Sequence, residues 1–127
     1  MFWFGTLNKV KNLEHLEQCT LIEWFDLTHK DLCGRLSATP NGGMRNIVVA
    51  KKLKREGVRK GFPDLTLPVP RHGKFGLYIE MKKVKGAKPS AEQSDWIEFL
   101  RAQGYRAEVC YGFDEARVVI NGYLNEM

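Results

Sequence analysis

Apolar residues along this chain follow two alternating periods. Leu13, Leu16, Leu21, Ile22, Trp24 and Phe25 recur at mostly helical spacing and predict an amphipathic helix over about 13–27. Its acids Glu14 and Glu17 then fall in the first turn, where the helix dipole favours them. Leu36-Ser37-Ala38-Thr39 reads as a short strand closed by the turn signal Pro40-Asn41-Gly42-Gly43. Residues 46–55 predict a second, basic helix with Ile47, Val48, Ala50 and Leu53 inward and Gly57 as its stop. Two β-segments, 62–67 and 76–82, flank the turn-rich stretch 70–74 and predict a hairpin. Ser90 followed by Gln93 matches a capping box, and Trp96, Ile97 and Leu100 supply the buried stripe of a helix that Gly104 ends. A strand over 105–111 and a helix over about 114–124, with Ala116, Val119, Ile120 and Tyr123 on one side, complete the order. The predicted class is α/β, a small mixed sheet flanked by helices.

The hairpin changes what the polar residues mean. Asp64 and Glu80 are equidistant from His72 at its tip, so an antiparallel ladder sets them opposite each other, with Cβ atoms roughly 4.5–5.5 Å apart. Lys82 lies two residues past Glu80 and emerges on the same face. Two carboxylates supply hard oxygen ligands for Mg²⁺ or Mn²⁺, to which the Met81 carbonyl adds a third oxygen. Beside such a cation, Lys82 suits the orientation of a water and the charge that develops on an attacked phosphate. Glu-x-Lys alone is a weak signal, equally explained by an exposed ion pair. Its agreement with Gly61-Phe62-Pro63-Asp64 at the right hairpin offset is what strengthens it.

Composition narrows the partners. A chain of 127 residues, 43% hydrophobic and 28% charged, fits one domain over 1–127 with a core that needs no staples. No apolar run approaches the roughly 18 residues of a membrane span, and Met1-Phe2-Trp3-Phe4 is too short for a signal peptide, so the expected location is cytoplasmic. Cys19, Cys33 and Cys110 form no Cys-x-x-Cys pair, and His15, His29 and His72 are dispersed, which argues against a disulfide framework and a structural zinc site. The absence of a glycine-rich phosphate loop disfavours a nucleotide phosphohydrolase. The formal net charge of +5 is concentrated around the acids: Arg45, Lys51, Lys52, Lys54, Arg55, Arg59 and Lys60 precede Asp64, and Lys83, Lys85 and Lys88 follow Glu80. This pattern fits DNA phosphates approaching through residues such as Arg45, Lys51, Arg59, Lys60, Lys83 and Lys88, and it equally fits a solvated basic helix face. Asn41-Gly42-Gly43 before Arg45 is most simply a turn.

Gly61-Phe62-Pro63-Asp64-Leu65, Gly76 through Lys82, Ser90 through Trp96 and Gly104-Tyr105 together resemble the successive blocks of the VRR-NUC domain. That domain is a branch of the PD-(D/E)xK nuclease superfamily, often a stand-alone protein of bacteriophages and prophages. The resemblance spans about Glu14 to Leu124. It implies a restriction-endonuclease-like core, Mg²⁺- or Mn²⁺-dependent DNA cleavage, and a homodimer able to act on branched DNA such as Holliday junctions. It also implies Asp64 and Glu80 as metal ligands, Lys82 as the catalytic lysine and Gln93 as an active-site amide. A capping-box glutamine turned back to the helix start explains Gln93 without function. The superfamily's helix-borne acid falls on Glu14, with Glu17 as rival and dipole-favoured surface acids as the plain alternative. A non-catalytic DNA-binding module on the same fold is the competing function, and the intact set Asp64, Glu80 and Lys82 speaks against it.

Overall fold

The computed structural model describes residues 2–40, 47–83, 86 and 88–125, with residues 2–13 as backbone. Its elements are α1 (Phe2–Thr28), a 3₁₀ turn (Lys30–Leu32), β1 (Ser37–Ala38), α2 (Ile47–Arg55), β2 (Leu65–Leu67), β3 (Leu77–Lys82), α3 (Ala91–Ala102), β4 (Arg106–Tyr111) and α4 (Phe113–Asn125). The strands form one mixed sheet in the order β1-β2-β3-β4, antiparallel except for the parallel β3–β4 pair. The predicted α/β class and mixed sheet are present.

Alternation along the strands divides the molecule into layers. Leu65, Leu67, Leu77, Ile79, Met81 and Cys110 point to one face, where Leu21 and Phe25 of α1 and Ala116, Ile120 and Tyr123 of α4 cover them. Phe25, Leu21 and Ile120 are fully buried, and each contributes roughly 1.5–3 kcal/mol. The opposite face is smaller: Ala107, Tyr78 and Val109 pack under Ile97, Leu100 and Trp96 of α3. Tyr78, Glu80 and Lys82 alternate with the core residues of β3 and so lie on this second face.

The hairpin ladder pairs Leu65 with Ile79 and Leu67 with Leu77. At the tip, Arg71 bridges Lys74 one register step away from that ladder, across His72 at φ 52° and Gly73 at φ 78°. Two successive positive φ values are those of a type I′ turn, whose twist matches the strands it joins. Gly104, at φ 98°, follows the end of α3, and a Cβ there would lie 2.6 Å from the Phe75 ring.

Two helices depart from expectation. The first starts at Phe2 rather than near Leu13, because extending a helix already anchored on the core adds one hydrogen bond per residue. Glu14 and Glu17 therefore stand mid-helix, and the dipole account of them fails. Leu16 is 56% exposed, outside the buried stripe, and the Leu13 side chain lies outside the described residues. In α2 no residue is buried: Ile47 is 71% and Val48 76% exposed, where inward positions were expected. An apolar stripe specifies a face, and nothing in the stripe supplies a partner for it. The turn read at 41–43 lies outside the described residues.

Candidate active site

The ladder extended by one pair sets Asp64 across from Glu80. Their carboxyl groups share a hydrogen bond, and the Met81 N–H donates to Asp64 Oδ2 at 2.8 Å. Asp64 precedes β2, and its side chain takes the place of a backbone acceptor at the ladder's end. Its own carbonyl accepts from the Thr39 N–H at 2.8 Å, tying it to β1 as well. Gly61 sets the approach: it holds φ 88°, and a Cβ there would lie 2.6 Å from the Glu92 backbone. The loop into Asp64 thus rests directly on the first turn of α3.

Glu80 is only 4% exposed, the one charged residue in the buried set among the described residues. Burial, then the Asp64 charge and their shared hydrogen bond, push its carboxyl up to about 8, against the opposing pull of Lys82. Burial raises Asp64 too, opposed by the Met81 N–H, the Glu80 hydrogen bond and Lys82. Two acids that cannot both ionise cheaply, with one cation nearby, mark a place where more positive charge is favoured. The donor set, two carboxylates of hard oxygen, fits Mg²⁺ or Mn²⁺. Among the described residues, no third Asp, Glu, His or Cys joins them at metal-binding distance.

Gln93 was open to two readings, of which the capping box is present, and the rest of its amide meets Glu80. Its Oε1 accepts from the Ser90 N–H at 2.8 Å while the Ser90 hydroxyl accepts from its own N–H at 3.1 Å, closing the capping box. The other end of the same amide, Nε2, donates to Glu80 Oε2 at 3.0 Å. The two candidate helix acids part company. Glu14 is exposed and close enough for its charge to raise Glu80 further. Glu17 instead accepts from the Phe113 N–H at 3.2 Å, capping the start of α4.

The VRR-NUC domain model matches residues 8–114, most of the chain, and the match spans Glu14, Glu17, Asp64, Glu80, Lys82 and Gln93. The chain belongs to the VRR-NUC family. A solved structure titled VRR_NUC domain protein is 30% identical over 88% of this chain and 88% of its own, with a TM-score of 0.78. A second, titled VRR_NUC domain, is 22% identical, covers 84% of this chain and 97% of its own, and has a TM-score of 0.54; it shares the fold. No curated protein matches the chain. Membership in the VRR-NUC family carries a nuclease-type fold.

The VRR-NUC sheet face opens beside the carboxylates into a cleft of about 730 Å³ that Lys82 and Gln93 help to line. Of the predicted DNA contacts, Arg59, Lys60 and Lys88 border this cleft. Lys51 lies elsewhere, in a shallow groove with Val48, Lys52 and Arg55 on another side of α2, and Lys83 is exposed outside the cleft. Arg45 lies outside the described residues. Sequence reasoning missed Leu53 and Val58 as cleft walls, having assigned Leu53 to a core that α2 does not enter. The density of cations across 51–60 was the available signal, since an amphipathic helix so basic borders something anionic more readily than it packs inward.

Proposed function

We propose that this protein is a Mg²⁺- or Mn²⁺-dependent endonuclease that hydrolyses phosphodiester bonds of DNA at Asp64 and Glu80. The observation that carries the reading is a buried carboxyl, Glu80, hydrogen-bonded to a second, Asp64, next to Lys82 and Gln93, which line a cation-bordered cleft. Asp64 and Glu80, with the Met81 carbonyl as a further oxygen, would hold a hard cation, which when bound would supply positive charge next to the phosphate. The protein's own groups do the rest. The Met81 N–H fixes the Asp64 carboxylate, and Gln93 fixes one oxygen of Glu80, so neither must reorganise when substrate arrives. Lys82, on the same strand face, orients the attacking water and offsets charge accumulating on the phosphate oxygens. Glu14, whose charge is felt at Glu80 from α1, is the helix-borne acid of this reading. Arg59, Lys60 and Lys88 attract the DNA backbone.

A homodimer acting on branched DNA, four-way junctions included, belongs to the same proposal and draws on the family resemblance. Two like sites related by a twofold axis match two strands related the same way. The test is a panel of labelled linear, nicked, flapped and four-way-junction DNAs incubated with Mg²⁺ or Mn²⁺, with light scattering for the dimer. Glu80→Gln and Lys82→Ala should each lose about a hundredfold or more in cleavage rate while still binding DNA. Full cleavage by Lys82→Ala removes its assignment, and no cleavage of any DNA by the unaltered protein favours a binding module.

A further inference from the structure

The cleft beside the carboxylates has walls that a phosphodiester backbone does not need. Its volume of about 730 Å³ lies within the roughly 300–1,000 Å³ of sites that enclose a small organic molecule. Leu53, Val58 and Phe62 give it apolar surface, and Lys54, Arg59 and Lys88 give it positive charge. Among the described residues none of these three cations has an ion-pair partner, whereas Lys60 is 3.8 Å from Glu92. A phosphate set on Leu53 or Val58 would shed water and gain no hydrogen bond, which costs free energy. A nucleobase has the opposite requirement, since its faces gain from apolar and aromatic contact while its phosphate stays in reach of nearby cations.

The apolar surface is also rigid where it matters. The Phe62 ring stands edge-on to Trp96 at 4.8 Å and to Tyr78 at 5.5 Å between centroids, and it is only partly buried by them. Gly61, pressed on the first turn of α3, holds the loop that carries it. Because Lys82 and Gln93 line the same cleft, whatever occupies it lies next to the carboxylate pair.

We propose that this cleft takes one unpaired nucleotide of the DNA substrate, its base on Leu53, Val58 and Phe62 and its phosphate among Lys54, Arg59 and Lys88. The proposal rests on the nuclease reading above and sharpens its substrate class. A paired base would have to leave its stack to enter, which costs a few kcal/mol, while a base already single-stranded enters without that cost. The protein therefore prefers DNA carrying an unpaired nucleotide beside the position of cleavage.

Binding is measured by fluorescence anisotropy without divalent cations, so that cleavage does not enter the result. The probes are a labelled duplex and the same duplex with a short single-stranded gap or flap. The unaltered protein should bind the gapped or flapped DNA about tenfold more tightly than the duplex, the scale of one base on an apolar platform. Leu53→Asn, which removes the apolar contact without adding charge, should abolish that preference with duplex affinity held within about twofold, and Leu53→Met should keep it. Leu53 sits on a helix with no buried residue, so both variants retain the fold. Equal affinity of the unaltered protein for paired and gapped DNA overturns the proposal, as does a preference that survives Leu53→Asn. A protein that cuts no DNA yet keeps the Leu53-dependent preference refutes the nuclease reading alone; one that cuts DNA without the preference refutes the cleft alone.

Discussion

One amide, that of Gln93, closes the start of α3 and steadies Glu80, and its two jobs separate on substitution. Gln93→Ala should lose both: about 0.5–1 kcal/mol of stability, read by thermal denaturation, and roughly 10- to 100-fold in cleavage rate. Gln93→Glu keeps an acceptor for the Ser90 N–H, so stability should hold, but it turns a carboxylate toward Glu80 and cleavage should still fall. Full cleavage in Gln93→Glu would show that the contact with Glu80 has no part in the reaction. Glu80 also ties stability to pH in the metal-free protein. Its carboxyl rises from 4.5 to about 8, so between those values the folded state keeps a proton that the unfolded chain has released. Stability should therefore fall as pH rises through that window, by at most about 1.4 kcal/mol per pH unit for one proton. Urea denaturation in EDTA across that range checks it, and Glu80→Gln should flatten the slope. At this scale the sequence was most readable: alternation put residues 64, 80 and 82 together from spacing alone. The depth at which Glu80 lies was not readable, because burial is set by α3 and the sheet packing over it.

Helices and strands were legible where their signals are local. The hairpin, the capping box and the Gly104 stop depend on neighbours within a few residues, and each appears where its residues predict it. The capping role of Glu17 and the fate of α2 depend on distant segments and were not legible. Glu17 caps α4 across the sequence, so Glu17→Ala should cost about 1 kcal/mol in thermal or urea denaturation while cleavage persists. Cleavage lost in Glu17→Ala, with Glu14→Ala unaffected, would reverse the choice between the two acids. The apolar side of α2 was read as core, yet it borders solvent and the cleft. Ile47→Ser should change stability by no more than about 0.5 kcal/mol, as for a surface position, whereas Leu21→Ala under the sheet should cost about 2–5 kcal/mol.

The whole molecule joins a positive exterior to an acidic centre. Besides Lys82, four cations, Lys54, Arg59, Lys60 and Lys88, border the cleft, and if each of these four neutralises one phosphate the logarithm of the DNA affinity should fall with that of salt at a slope of about −3.6. Arg59→Ala should reduce that slope by about 0.9, measured by anisotropy over a salt series. Among the described residues no helix is long and apolar enough to cross a membrane. The charge distribution, read along the chain, already bracketed the acids with lysine and arginine; the folded molecule narrows the bracket to the residues that share a cleft with Lys82. Whether a cation belongs at that centre decides the account. The direct measurement is the anomalous scattering of Mn²⁺ in crystals of the protein grown with it. The account predicts a peak between the carboxylates of Asp64 and Glu80, absent in Glu80→Gln; a peak elsewhere, with that position vacant, would contradict it.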